Sequence, residues 1–344
     1  MNSNKIDAVI LWVDDTDEKW LKKKMKWQRY YGIEDNMPER YRTWDNLHYI
    51  FRGIEKFAPW INHIYLVTDG QKPKWLKENN NITVVDHQDI ISKDHLPTFN
   101  SGVIELNIHK IKGLSENFLF FNDDFFIIDH VKEEDFFRNG LPCDYAISNP
   151  VIPHKDKMTT YRVFNNLTII NKRFNKREAI KCKPTNWINF KYGLLNVQSI
   201  LLNIRWRGFS GFYEPHSIQS YLKSTFEEVW SEYGEDLEVM MNSRFRATNN
   251  YNQWLMRYWQ LADNKFVPRN PKFSKVYALN DKRKIDKCAA DIRKQRKRVV
   301  CVNDGEGLTD FKYAKETINK ALNSVLKEKS SFELIFEIDK IIFL

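Results

Sequence analysis

Short apolar runs that stop on aspartate recur through the first 130 residues. Ile6–Val13 (IDAVILWV) ends on Asp14-Asp15, His63–Thr68 (HIYLVT) on Asp69-Gly70, Ile82–Val85 (ITVV) on Asp86, and Phe118–Phe121 (FLFF) on Asn122-Asp123-Asp124. Short β-branched and aromatic runs bounded by turn formers read as buried strands. Between them the period becomes helical. Over Trp44–Phe57, Leu47, Ile50, Phe51 and Ile54 share a face, and Asn100 or Ser101 caps a helix running through Lys112 to a stop at Gly113. Strands alternating with helices predict an α/β fold, a mainly parallel sheet flanked by helices. Ligands bind such sheets at the carboxyl ends of the strands. Asp14, Asp69, Asp123 and Asp304 are therefore expected near one edge. Taken singly, each aspartate fits an ordinary turn; four after buried runs point to a site.

The later pattern is less regular. From Cys143 to Trp206, Asn, Lys and Pro interrupt the periodicity, as in an insertion of mixed helices and loops (143–206). Ser217–Tyr233 reads as an amphipathic helix on Ile218, Tyr221, Leu222, Val229, Trp230 and Tyr233, and Tyr251–Leu261 as an aromatic-rich core helix. Lys282–Arg298 reads as a solvated basic helix face, Val299–Val302 as a last strand ending on Asn303-Asp304-Gly305, and the chain from Phe311 onward as amphipathic helix. The expected division is a catalytic unit over 1–310 and a helical tail over 311–344.

Composition narrows the classes. With 42% hydrophobic and 14% aromatic residues in 344, the chain can bury a large core. Lys+Arg total 54 against 45 Asp+Glu, a surplus of nine that suits nucleotide phosphates, an acidic glycan, nucleic acid or a membrane surface, and equally a plain solvated surface. The four cysteines are scattered without a C-x-x-C pair, which argues against a zinc ribbon and a disulfide scaffold and fits a reducing compartment. The start, MNSNKIDAVI, lacks a signal-peptide profile and no apolar run is long enough to span a bilayer, so a cytoplasmic protein is expected.

Four stretches carry a specific resemblance. They are IDAVILWVDDTDEKW (6–20), the long region from Arg40 to Phe126 with HLPTFNSGVIELNIHK and FLFFNDDFF, the region 216–268 opening on HSIQSYLKSTFEEVW, and RVVCVNDG (298–305). In this order they resemble the conserved regions of the stealth phosphotransferases, which include bacterial capsule polymerases and the lysosomal-enzyme N-acetylglucosamine-1-phosphotransferase. Two positions depart from the pattern: Ile218 stands where proline is usual, and Asn250 where an acidic residue is usual.

The resemblance implies a GT-A/Rossmann-like core with helical additions. The reaction it implies is transfer of a hexose 1-phosphate from a UDP-sugar donor to a glycan or lipid-linked glycan hydroxyl, with release of UMP, in capsule or exopolysaccharide synthesis. Such chemistry needs phosphate charge neutralised, the attacking oxygen aligned and a base. Asp123 and Asp124 are the expected ligands of Mg²⁺ or Mn²⁺, with hard oxygens suited to bridging a diphosphate. His216 is the expected general base, Arg246 the phosphate clamp through its planar fork, and Asp304 a further catalytic group. Donor contacts are expected from Asp14, Asp15, Arg42, Arg52, Asn100, Ser101, Asn122, Arg244 and Asn303. Plain structural roles stay open beside these: turn shaping for the aspartates, N-capping for Asn100 and Ser101, and a helix surface for Arg42 and Arg52. The competing enzyme class is a conventional metal-dependent nucleotide-sugar glycosyltransferase releasing UDP. A nucleic-acid- or glycan-binding protein without turnover draws mainly on the Lys282–Arg298 run and is not the expected class. The apolar tail FELIFEIDKIIFL is too short to span, so membrane contact is expected to be at most peripheral.

Overall fold

The computed structural model describes residues 5–33, 42–152, 154, 158–214, 216–305 and 307–334. Among these there are eleven strands: β1 (Ile6–Leu11), β2 (Ile64–Thr68), β3 (Ile82–Asp86), β4 (Asn117–Phe121), β5 (Phe125–Ile127), β6 (Phe137–Arg138), β7 (Leu141–Asp144), β8 (Gln219–Leu222), β9 (Val267–Pro268), β10 (Ser274–Leu279) and β11 (Val299–Asp304). The four aspartate-terminated runs are β1 to β4. They form one parallel array in the order β3-β2-β1-β4, closed by antiparallel β8.

These strands alternate between two cores. Ala8, Ile10, Leu66, Leu119 and Phe121 pack on one face; Val9, Val67, Phe118 and Phe120 pack on the other. A parallel sheet covered on both faces requires such unbroken apolar strands. Helices Leu47–Phe57, Lys282–Arg293 and Phe311–Val325 contribute to the first core, and Ser101–Asn107, Met158–Arg173, Lys223–Met241 and Trp254–Ala262 to the second. The fold is therefore the expected α/β architecture.

The last strand lies elsewhere than expected. β11 belongs to a second sheet, β10-β11-β5, pairing parallel with β10 and antiparallel with β5. Close approach seats this sheet: a Cβ on Gly53 would fall 2.4 Å from the Ile127 carbonyl oxygen, so only glycine fits there. The expected helix over Ser217–Tyr233 is also corrected, since Gln219–Leu222 is strand and the helix spans Lys223–Met241. Leu222 N donates to Gln260 Oε1 at 2.9 Å and Gln260 Nε2 donates to Ser220 O at 3.2 Å, while β4 takes the other edge. Tertiary pairing overrides the helical period there. The basic run is a helix over Lys282–Arg293 whose Ile285, Cys288, Ala289 and Ile292 are buried and whose Lys and Arg side chains stay outside.

The tail joins the body. Helix Phe311–Val325 buries Ala314, Ile318, Ala321 and Leu322 in the first core, and Leu334 N donates to Trp75 O at 2.8 Å. Residues 335–344, most of the apolar tail segment, lie outside the described residues. No helix among the described residues is long and apolar enough to cross a membrane.

Candidate active site

The five-stranded sheet and the β10-β11-β5 sheet meet at one turn. β4 ends at Phe121 in the first, β5 begins at Phe125 in the second, and Asn122-Asp123-Asp124 lies between. β11 runs back along β5, and Val302 N donates to Asp124 O at 2.9 Å, which sets Asn303 and Asp304 beside the turn. β8 is preceded by His216, which reaches the same turn from the end of the insertion. Its Nε2 lies 3.4 Å from Asp124 Oδ2, and its ring meets Phe125 edge-on at 5.1 Å.

Electrostatics are strained at this junction. Asp123 keeps accessible surface but is ringed by protein. Lost hydration, then the adjacent Asp124 carboxylate, push its pKa up to about 7; His216 pulls the other way and Asp15 adds to the rise. Asp15 is also raised, by burial and by Asp14. Burial alone would lower the His216 imidazole, but the charge and hydrogen bond of Asp124 outweigh it and the net shift is upward. Buried Glu105 and Arg162 act on the same ring with opposite sign. Two residues before His216, burial pushes Glu214 up to about 8 against the pull of Arg257 and Arg162. Raised carboxylates clustered in one place are expected of catalytic sites.

Asp124, His216 and Cys301 offer ligand atoms that all lie within 4.8 Å of one another, a candidate metal-ligating triad. The donors differ in kind. Cys301 is fully buried, its pKa is driven far up by burial and by Asp124, and its Sγ lies 3.1 Å from Asp124 Oδ2, where a protonated thiol donates. A protonated thiol is a poor ligand for a hard cation. Asp15 Oδ1 and Asp124 Oδ1 are buried oxygens without a hydrogen-bond partner among the described residues. Such orphaned carboxylate oxygens fit a hard divalent cation.

The other expected site residues divide into three groups. Asp14 stands at the β1 carboxyl end, but its Oδ1 accepts from Thr16 N at 2.9 Å and Thr16 Oγ1 at 2.6 Å, so it shapes the turn. Asp69 follows β2 on the same edge and pairs with Lys23 at 2.5 Å. Arg42 and Asp304 are brought together in a two-point ion pair, with the Arg42 guanidinium 4.3 Å over the Phe311 ring.

The second group forms a joint. Asn100 is fully buried; its Oδ1 accepts from Gly102 N at 3.2 Å and its Nδ2 donates to Asn250 Oδ1 at 2.8 Å. Asn250 Oδ1 also accepts from Ala247 N at 2.7 Å. An aspartate at 250 would offer the same acceptor oxygen. Arg244 Nη1 donates to Pro97 O at 2.8 Å and its guanidinium stacks 4.2 Å over Trp27, so this arginine ties the loop before Asn100 rather than pointing into the site. Arg246 Nη2 donates to Ser101 Oγ at 3.0 Å, at the start of the Ser101–Asn107 helix. Gly102 permits the crossing: a Cβ there would lie 2.7 Å from Tyr251 O.

Arg52 stands apart. It is buried, its Nε and Nη2 donate to Glu333 at 2.7 and 2.6 Å, and its Nη1 donates to Leu326 O at 2.9 Å. Those contacts occupy the fork that a phosphate would need.

Four residues of this neighbourhood were not among the expected ones: Glu105, Arg162, Glu214 and Cys301. Glu105 and Cys301 fall inside the stretches HLPTFNSGVIELNIHK and RVVCVNDG, whereas Arg162 and Glu214 lie outside all four.

Carboxylates and an imidazole gathered where the carboxyl end of a parallel sheet meets a second sheet are the arrangement expected of an α/β enzyme. The profile described as "Stealth protein CR2, conserved region 2" matches residues 40–143. The capsular polysaccharide phosphotransferase WcwK of Streptococcus pneumoniae is 41% identical over 96% of this chain and 99% of its own length. The exopolysaccharide phosphotransferase cps2G of Lactiplantibacillus plantarum is 40% identical over 95% of this chain and 96% of its own. The receptor polysaccharide phosphotransferase WefC of Streptococcus oralis is 38% identical over 96% of this chain and its full length. The chain belongs to the stealth family.

Proposed function

We propose that the protein is a phosphotransferase of capsule or exopolysaccharide synthesis that moves a hexose 1-phosphate from a UDP-sugar to a hydroxyl of a glycan or lipid-linked glycan. The names of the relatives support the class, and the pairing of His216 with Asp124 at the sheet junction is the observation that carries the mechanism. The acceptor oxygen attacks the β-phosphorus. The bond from that phosphorus to the oxygen bridging the two phosphates breaks, and UMP departs with the bridging oxygen. The sugar 1-phosphate remains joined to the acceptor as a phosphodiester.

His216 takes the acceptor proton. Asp124 faces Nε2 and holds a proton there, which leaves Nδ1 as the basic nitrogen. Arg246, steadied by Ser101, grips a phosphate oxygen pair. Asp123 and Asp124, with Asp15 beside them, would hold Mg²⁺ or Mn²⁺, which supplies charge neutralisation for the diphosphate. Asn122 and Asn303 border the donor, and Asp304 orients Arg42 toward it. Action at the cytoplasmic side of the membrane, with at most peripheral contact, belongs to the same reading.

Incubation with a panel of UDP-sugars and Mg²⁺ tests it. UMP and a phosphodiester product are expected, with turnover lost on chelation. UDP and a glycoside would assign conventional glycosyl transfer instead.

A further inference from the structure

The helix Leu195–Arg205 is amphipathic in the inverse sense. Its polar Ser199 and Asn203 face the body: Ser148 N donates to Ser199 Oγ at 3.0 Å and Ser148 Oγ to Asn203 Oδ1 at 2.6 Å. Leu195 packs inward and Ile200 and Leu202 are half-buried, but one apolar row faces water. Leu194, Val197, Leu201 and Ile204 recur at helical spacing and are 90%, 58%, 63% and 74% exposed. Phe190 is 86% exposed on the segment tied to the helix start by the Asn189–Asn196 hydrogen bonds, and Trp206, at the helix end, is 50% exposed. An apolar stripe of this length on a helix whose polar face is already satisfied marks an interaction surface.

We propose that this face seats the enzyme on an anionic membrane surface. Charge selects the occupant. Between positions 176 and 207 there are seven Lys or Arg, of which Lys176 is buried and Arg205 and Arg207 stand exposed at the end of the stripe, and one acidic residue, Glu178. Two copies meeting face to face would oppose these like charges, whereas anionic lipid headgroups complement them. Trp206, with the Arg205 guanidinium 5.7 Å from its ring, is the aromatic-plus-cation pair that suits the headgroup boundary. The helix has 11 residues, so it is about 16 Å long and lies in the interface plane rather than crossing it. The insertion that carries it continues through Tyr213, whose N donates to Ile147 O at 2.8 Å, into Glu214 and His216. The inference does not depend on which donor or acceptor the enzyme uses.

Co-sedimentation of the full chain with vesicles tests it. Vesicles of phosphatidylcholine with roughly one third phosphatidylglycerol should bind the protein, and pure phosphatidylcholine should bind it several-fold less. The Leu201→Asp/Ile204→Asp variant should lower partition on the order of tenfold or more, with unchanged circular dichroism and Tm because both side chains already face solvent. Arg205→Gln/Arg207→Gln should weaken binding to the anionic vesicles only. Absence of binding to anionic vesicles, equal binding to both compositions, or undiminished binding of the double aspartate variant would overturn the proposal. So would a dimer in light scattering that the double aspartate variant dissolves, since the occupant would then be a second copy.

Discussion

Asp124 Oδ2 lies 3.4 Å from His216 Nε2, joining a turn between two sheets to a residue delivered from the far side of an insertion. The carboxylate decides the imidazole's charge. Burial works against the cation, and Asp124 more than compensates. In chelator-treated protein, NMR titration should place His216 above the ordinary histidine pKa, and Asp124→Asn should bring it down as the opposing burial takes over. An unshifted titration in Asp124→Asn would show that the pair does not set the proton.

His216→Ala should lower transfer by about 10²–10⁴-fold while donor affinity stays nearly intact, because a base acts only as the proton leaves. Single-turnover transfer and donor binding measured separately would reveal the split. Near-normal turnover would move the base elsewhere in the cluster.

Asp123 should cost the fold stability where it ionises. Its folded pKa, pushed up to about 7, lies above that of an unfolded aspartate, so the folded state holds the proton more tightly. Stability linked to it is then complete at low pH and declines as pH rises through that window. Asp123→Asn should raise stability at pH 8 in metal-free buffer by roughly 1 kcal/mol, far less than the full shift implies since water reaches the carboxylate, and change little at pH 4. Denaturant titrations at the two pH values give the comparison, and activity should fall by most of its value in the same variant.

The Arg52–Glu333 pair predicts a purely structural phenotype. Burial would raise Glu333, but Arg52 outweighs it and the carboxyl is held below the usual glutamate range. The stability it contributes is complete above the ordinary glutamate pKa and disappears as pH falls below it. Glu333→Gln leaves a buried guanidinium without its counter-charge and should cost roughly 3–5 kcal/mol, with donor affinity unchanged at low temperature. A changed donor affinity with unchanged Tm would return Arg52 to the donor site.

How legible this protein is in its sequence depends on where each element finds its partners. β1 to β4 could be read because buried parallel strands need continuous apolar runs and each stops on a turn former. β8 was concealed because Ile218, Tyr221 and Leu222 satisfy a helical period, while its pairing with β4, about a hundred positions earlier, and the Gln260 side-chain hydrogen bonds on its other edge come from distant sequence. The second sheet was concealed because three-residue β5 has no pattern of its own and depends on β11. At the site, FNDD and the HS before β8 stood out through a family resemblance. Glu214 and Cys301 did not, since their chemistry comes from burial and from neighbours distant in sequence. Arg52 was expected at the donor, and its pairing with Glu333, 281 positions away, had no signal in the sequence.

Arg246 offers the sharpest test of the phosphate site. Its Nη2 is held by Ser101 Oγ at 3.0 Å, while Asn100 and Asn250 lock the loop behind it. A planar guanidinium can meet two partners at once in a fixed geometry, whereas an ammonium is a single point that cannot. Arg246→Lys should therefore fail almost as badly as Arg246→Ala, lowering both turnover and donor affinity although charge is conserved. Ser101→Ala supplies the control. It removes the anchor and keeps the guanidinium, so it should lower turnover by about ten- to a hundredfold, the scale of one hydrogen bond from a charged group. Steady-state kinetics over donor concentration separate the outcomes. If Arg246→Lys keeps wild-type donor affinity and turnover, the arginine is a loop brace like Arg244, and the phosphate grip belongs to Arg42 once Asp304 releases it.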